Sequence, residues 1–231
     1  DRSDRKIERW KNMARIALGQ SKMVSRPFAG FLHIIVYIGF VVINIEVLEI
    51  VIDGLFGTHR VFQPLLGNTI YGFLIGTFEI LAFLVLVAVI LFWLRRNIIQ
   101  LKRFMSKEMK GWPKNDGNLI LYFEIVLMSL FIVMNATDHT FQEANIGNPI
   151  SQFVGPWFSG YSLETLATIE HTAWWVHIIG ILIFLNYLYY SKHLHILLAF
   201  PNTFFANLGP KGQFNNLASV TSEVRMMMDP E

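Results

Sequence analysis

Cysteine is missing from all 231 residues. Disulfides, thiolate metal sites, cysteine-ligated iron–sulfur clusters and covalently attached c-type haem are therefore excluded within this chain. Charge is scarce as well, with 16% Asp, Glu, Lys and Arg against about 25% in an ordinary soluble domain. Neither an internal repeat nor a low-complexity tract is present, and no nucleic-acid partner is expected. No signal-peptide pattern opens the chain, because the first apolar block follows a long basic amphipathic stretch. Asp1 at the start and Asp229-Pro230-Glu231 at the end read as cuts in a longer chain.

Hydrophobicity takes up the space, at 53% of residues and gathered in blocks. Four blocks are long enough to span a bilayer: Phe28 to Ile52, Ile70 to Leu94, Leu119 to Ala136, and Leu166 to Tyr190 with an apolar continuation to Phe200. Basic residues cluster before the first block (Arg2, Arg5, Lys6, Arg9, Lys11, Arg15, Lys22, Arg26) and between the second and third (Arg95, Arg96, Lys102, Arg103, Lys107, Lys110, Lys114). Lys192, Lys211 and Arg225 follow the fourth block. The loop after the first block has Arg60 alone, and the loop after the third has neither Lys nor Arg. The positive-inside rule then puts both termini in the cytoplasm. The expected fold is an all-α membrane protein, a bundle of four transmembrane helices in a bacterial or archaeal cytoplasmic membrane.

Residues 4–22 carry Ile7, Trp10, Met13, Ile16 and Ala17 on a basic background, which predicts an amphipathic helix on the inner membrane surface or docked on a partner. Domain boundaries follow: a cytoplasmic segment over 1–26, a transmembrane domain over 27–200 and a cytoplasmic tail over 201–231. Trp112 to Gly117 reads as a cytoplasmic turn, and Trp157, Phe158 and Tyr161 close the outer loop at the membrane interface.

Histidines carry the chemistry. His177 and His195 lie eighteen positions apart (195 − 177), and five helical turns take eighteen residues, so one continuous helix would present both on one face about 27 Å apart. That span approaches the hydrocarbon thickness of a bilayer. One imidazole near each surface suits two stacked b-type haems, because buried neutral imidazoles are good axial ligands and the macrocycle packs between apolar helices. His33 lies in the cytoplasmic half of the first block, at the depth of His195, so the two can share an inner haem. The outer partner of His177 is less determined: His139 ranks slightly above His59, and Arg60 is available to a haem propionate. His171 is too close to His177 on one helix to ligate the same iron. His193, two positions before His195, points away and reads as an interfacial residue.

The runs His177-Ile178-Ile179-Gly180 and Ser191-Lys192-His193-Leu194-His195-Ile196, ending in Phe200-Pro201, resemble the last helix of the di-haem cytochrome b subunit of respiratory nitrate reductase. They are still more similar to the related membrane subunit of heterodisulfide reductases. Phe31-Leu32-His33-Ile34 resembles the start of that family's first haem-bearing helix, and the four blocks correspond to its last four helices. The resemblance implies that His177 and His195 each ligate one haem and that His33 is the inner partner. The family's second histidine on the first helix falls at Ile43 here, a departure that leaves the outer haem with another ligand or none. Two haems b are expected, or one. The tail, with Pro201-Asn202-Thr203, Lys211-Gly212 and Val220-Thr221, resembles the lead-in to a cytoplasmic iron–sulfur domain in fused relatives. With no cysteine in this chain, that domain lies beyond residue 231 or comes from a separate subunit.

Carboxylates complete the reading. Glu46 and Glu49 are three apart and share a helix face with Asp53; they are expected to take protons from a quinol at the outer leaflet. Glu79 and Glu124 read as structural or as partners of a histidine, and Glu170 stands at the mouth of the fourth helix. The expected function is a cytochrome b module of a respiratory chain, moving electrons between a membrane quinol (quinone or menaquinone) and a cytoplasmic iron–sulfur partner, as the electron-transfer part of a larger oxidoreductase complex. The alternatives are a haem-free proton or ion relay and a passive membrane anchor. A di-iron oxidase needs denser ligand clusters than these scattered histidines provide.

Overall fold

Local signals fix where each long helix starts and stops. Pro27 opens α2 (Pro27–Phe56) at a position where its missing N–H costs nothing, and Gly57 ends it in the left-handed region at φ +65°. Helix α3 (Phe62–Asn97) is interrupted at Gly67, where φ is +74°, so its first turn is set off from the apolar stretch. Helix α4 runs from Trp112 to Thr137 with Pro113 in its first turn; the expected turn over Trp112 to Gly117 is helical instead, since proline is well tolerated there. Helix α7 (Leu163–Leu188) is capped by the Ser162 hydroxyl, which accepts from the Thr165 amide.

The structure is a computed structural model that describes residues 2, 4–209, 212 and 217–229, without the side chains of Val24 and Arg103. Lys211 and the chain ends Asp1, Pro230 and Glu231 lie outside the described residues. Among those described there is no strand. α2, α3, α4 and α7, of 30, 36, 26 and 26 residues, are each long and apolar enough to cross a membrane. Large side chains such as Leu48, Phe73, Val126 and Leu182 are left exposed around them, an apolar belt that a monomer in water would not carry.

The remaining elements are short: α1 (Lys6–Met13), α5 (His139–Ala144), α6 (Ser151–Val154), α8 (His195–Phe204) and α9 (Ala218–Met228). Residues 20–197 form one unit, in which α3 packs against both α2 and α4, and α4 against both α3 and α7. Tyr71, Ile75, Phe78 and Phe131 are fully buried at this centre. α2 and α7 share no comparable interface. They meet near the outer end, where Trp174 leaves no room for a side chain at residue 54 and glycine is required. Two cavities lie between α2 and α7, one at the outer end and one at His177, and a third lies among α2, α3, α4 and the Lys192–His195 segment.

The described residues of 1–19 and 198–231 form a second unit. Residues 6–13 are helical as expected and continue as a π-helix over Ala14–Leu18. Arg9 does not belong to a solvated basic face: it is buried, donates to the carbonyls of Phe204 (3.1 Å) and Ala206 (2.9 Å), and pairs with Asp4 at 2.6 Å. Its charge satisfies acceptors at the C-terminal end of α8, where a cation is favoured. The Arg9 hydrogen bond, with one from Arg5, holds the Asp4 carboxyl below its usual range.

Candidate functional site

One sequence expectation fails first. His177 and His195 do not share a helix, because α7 ends at Leu188 and α8 begins at His195. Asp116 of α4, itself buried, accounts for the break: its carboxylate accepts from the Tyr187 hydroxyl at 2.5 Å and from the Lys192 amide at 3.2 Å. Ser191 then caps the short 3-10 turn Lys192–Leu194 by accepting from the His193 amide at 3.0 Å. A continuous helix would send His193 outward. The turn instead brings His193 beside His195, ring centroids 5.5 Å apart, and against Phe184.

The inner cavity therefore holds three imidazoles, those of His33, His193 and His195, with Arg95, Arg96 and Lys192 on its wall. Val36, Val89, Phe92, Ile120 and Leu121 supply the apolar surface. Several polar atoms in this region are buried with no partner: His33 Nδ1, Arg95 Nη1 and Arg96 Nε. Orphaned buried donors of this kind are costly unless something fills them. His195 Nδ1 donates to the Lys192 carbonyl at 3.0 Å, which frees Nε2 and fixes the ring. Burial, reinforced by His195, pushes the His193 imidazole down to about 4, so it is neutral at neutral pH.

A second cavity adjoins the first through Val36 and Glu124. His177 lies on its wall, 2% exposed, and its Nδ1 donates to the Leu127 carbonyl at 3.0 Å. No other histidine lines this cavity, and Ile43 stands across it. The structure does not bring His177 together with His139 or His59. His139 is on α5, half exposed, with Glu143 as its neighbour at 3.5 Å.

His59 belongs to an outer cavity of about 430 Å³, with Glu46, Glu49, Asp53, Asp138, Glu170 and His171 among its lining residues. Below it runs a buried polar network. The Arg60 guanidinium donates to Asp138 (3.0 Å), Asn135 (3.1 Å) and Tyr71 (3.3 Å), and covers the Phe141 ring at 3.9 Å. The Tyr71 hydroxyl donates to Glu49 and the Asn135 amide to Glu79, each at 3.0 Å. Arg60 is thus engaged with protein partners, and the expected role at a haem propionate finds no support. Glu79 is structural: it accepts from the Ile150 and Ser151 amides and so fastens α6 to α3. Glu46 differs, since one carboxylate oxygen is buried without a partner. Burial would raise the Asp138 carboxyl, but the His59 hydrogen bond and the Arg60 charge outweigh it and hold it near 2. The hydrogen bond to Asp138 is in turn what raises the His59 imidazole above its ordinary value.

Sequence reasoning undervalued His193, Glu124, Arg95, Arg96 and Lys192. The signal lay in the bend: Asp116 is buried where a straight α7 would leave it without amide partners. Among the described residues no group of three or more His, Cys, Asp and Glu side chains is placed to hold a bare metal ion. The inner residues do fit a haem b: imidazoles for the iron, apolar walls for the macrocycle, and arginine nitrogens without partners, Arg95 Nη1 and Arg96 Nε, for the propionates.

No protein-family model matches the chain, and no solved structure matches it. The chain is similar to a probable iron–sulfur-binding oxidoreductase, FadF, of Bacillus subtilis, with 27% identity over 202 residues, 86% of this chain. It is also similar to the EtfAB:quinone oxidoreductase of Syntrophomonas wolfei, with 22% identity over 221 residues, 90% of this chain. The chain spans 27% and 29% of the length of those two proteins.

Proposed function

We propose that this chain is the membrane module of a quinone-linked oxidoreductase, moving electrons between a membrane quinol and a cytoplasmic iron–sulfur domain or subunit. The observation that carries the reading is the inner cavity, where three imidazoles and unpartnered arginine nitrogens meet an apolar wall. The similarity to an iron–sulfur-binding and a quinone oxidoreductase points the same way. One b-type haem would be held there by His33 and His195, with Arg95, Arg96 and Lys192 available to its propionates. Haem b, when bound, would supply reversible one-electron chemistry. Half-burial of His33, the Lys192 carbonyl behind His195 and the Asp116 brace would keep these imidazoles oriented.

In this reading both termini, the 95–114 loop and the inner cavity face the cytoplasm and the iron–sulfur partner, and the clustering of Lys and Arg in the segments before α2 and between α3 and α4 supports it. The outer cavity lies on the opposite side, and its carboxylates, Glu46 and Glu49 first, exchange the quinol's protons with the exterior. Electron paramagnetic resonance of the oxidised protein tests the site. The reading predicts a low-spin ferric signal of two imidazole ligands, abolished by His33→Ala and by His195→Ala and retained in His139→Ala. A folded, haem-free protein would overturn it in favour of a proton relay through the same carboxylates.

A further inference from the structure

The cavity at His177 is left without a role once the inner haem is assigned. It is small, about 150 Å³, and apolar apart from His177, Glu124 and Asn44. A dry apolar cavity of that size admits a benzene-sized ring. It offers one buried imidazole and no second, so it does not meet the ligand demand of another six-coordinate haem. Its open side faces the apolar belt, where Phe40, Asn44 and Leu185 are exposed, so a ligand reaches it from lipid.

The polar groups there are specific. The Leu127 carbonyl can only accept, so the proton of a neutral His177 ring sits on Nδ1 and Nε2 is a bare acceptor. No described residue donates to Nε2, and the residue lies on the cavity wall with 2% exposure. Glu124 precedes Leu127 by three residues, on the same face of α4 and roughly 4.5 Å along its axis. Its carboxyl also lacks a hydrogen-bond partner among the described residues, and it lines both this cavity and the inner one.

We propose that this cavity binds the head group of the membrane quinol, one hydroxyl donating to His177 Nε2 and the other meeting the Glu124 carboxyl, with the isoprenoid tail leaving between α2 and α7. This rests on the quinone-linked reading above and gives it a site. The outer cavity is the poorer candidate, because carboxylates, two histidines and an arginine line it; such walls suit water and protons better than an aromatic ring. Val36 and Glu124 line both this cavity and the inner one, so the ring would sit next to the inner cavity.

The test is a fluorescence titration of the purified full-length protein with 2-heptyl-4-hydroxyquinoline N-oxide, a quinol analogue, alongside haem per chain for each variant. His177→Leu and Glu124→Gln are expected to weaken binding at least tenfold while haem per chain stays the same. Trp175→Leu, in the outer cavity, is expected to change binding less than twofold. Leu185→Trp obstructs the lipid-side mouth from an exposed position and is expected to weaken binding even where His177→Leu fails to fold. A loss of haem in His177→Leu would make that residue an iron ligand and overturn the proposal. So would unchanged binding in His177→Leu and Leu185→Trp, or weakened binding in Trp175→Leu alone. Wild-type protein that binds the analogue but holds no haem would overturn the electron-transfer reading and leave this site standing.

Discussion

At the scale of single residues, the outer network shows how a buried charge is retained in a mostly apolar protein. Arg60 is 8% and Asp138 7% exposed, and they face each other at 2.9 Å. Removing one partner leaves the other buried and uncompensated, a loss of about 3–5 kcal/mol. Arg60→Leu should therefore lower the thermal midpoint of the detergent-solubilised protein by far more than Arg5→Leu, at an exposed ion pair. The same cluster sets a pH dependence. His59 has a raised folded value, so its stabilising contribution is complete below its ordinary 6.5 and is lost as pH rises through the folded value. Asp138 works in the opposite sense: its contribution is complete above 3.8 and is lost as pH falls toward about 2. Thermal midpoints of wild type and His59→Leu should differ most between those limits and converge on the alkaline side. A difference that grows with alkaline pH would refute the pairing. His33 and His195 were legible in the sequence by depth alone. His193 was not, because its direction depends on a helix end that Asp116 makes from another part of the chain.

At the scale of elements, the four long helices were readable from hydrophobic run length, and their ends were read less well. α2, α3 and α4 each extend beyond the apolar blocks, since caps and prolines, unlike hydropathy, decide where a helix stops. The break after Leu188 has the largest consequence. Eighteen residues put His177 and His195 on one face only of a continuous helix, and the break between Leu188 and His195 removes that shared face. Asp116→Ala removes the acceptor for Tyr187 and Lys192 and lets α7 run on past Leu188. Circular dichroism should then report equal or slightly greater helicity, while the haem spectrum weakens or shifts as His195 turns away. An unchanged haem spectrum in that variant would show that the bend does not position the ligand.

At the scale of the whole molecule, charge asymmetry gives residues 20–197 a direction: the basic 95–114 loop with His33, His193 and His195 at one end, and Glu46, Glu49, Asp53 and Glu170 with His59 and His171 at the other. Residues 1–231 hold no cysteine, so each one introduced here is the only thiol in this segment. In intact cells Ser159→Cys should react with a membrane-impermeant maleimide and Lys107→Cys should not; the reverse pattern would invert the topology. The site was legible in outline, as histidines in apolar surroundings. Its division into an inner cavity, a middle cavity and an outer polar one was not, because it depends on which helices pack closely and which stand apart. The central claim is that the inner cavity alone holds haem. Pyridine haemochrome analysis of the purified protein measures it directly. One b-type haem per chain, lost in His33→Ala and kept in His177→Leu, is the predicted result; two haems per chain, or none in folded protein, would contradict it.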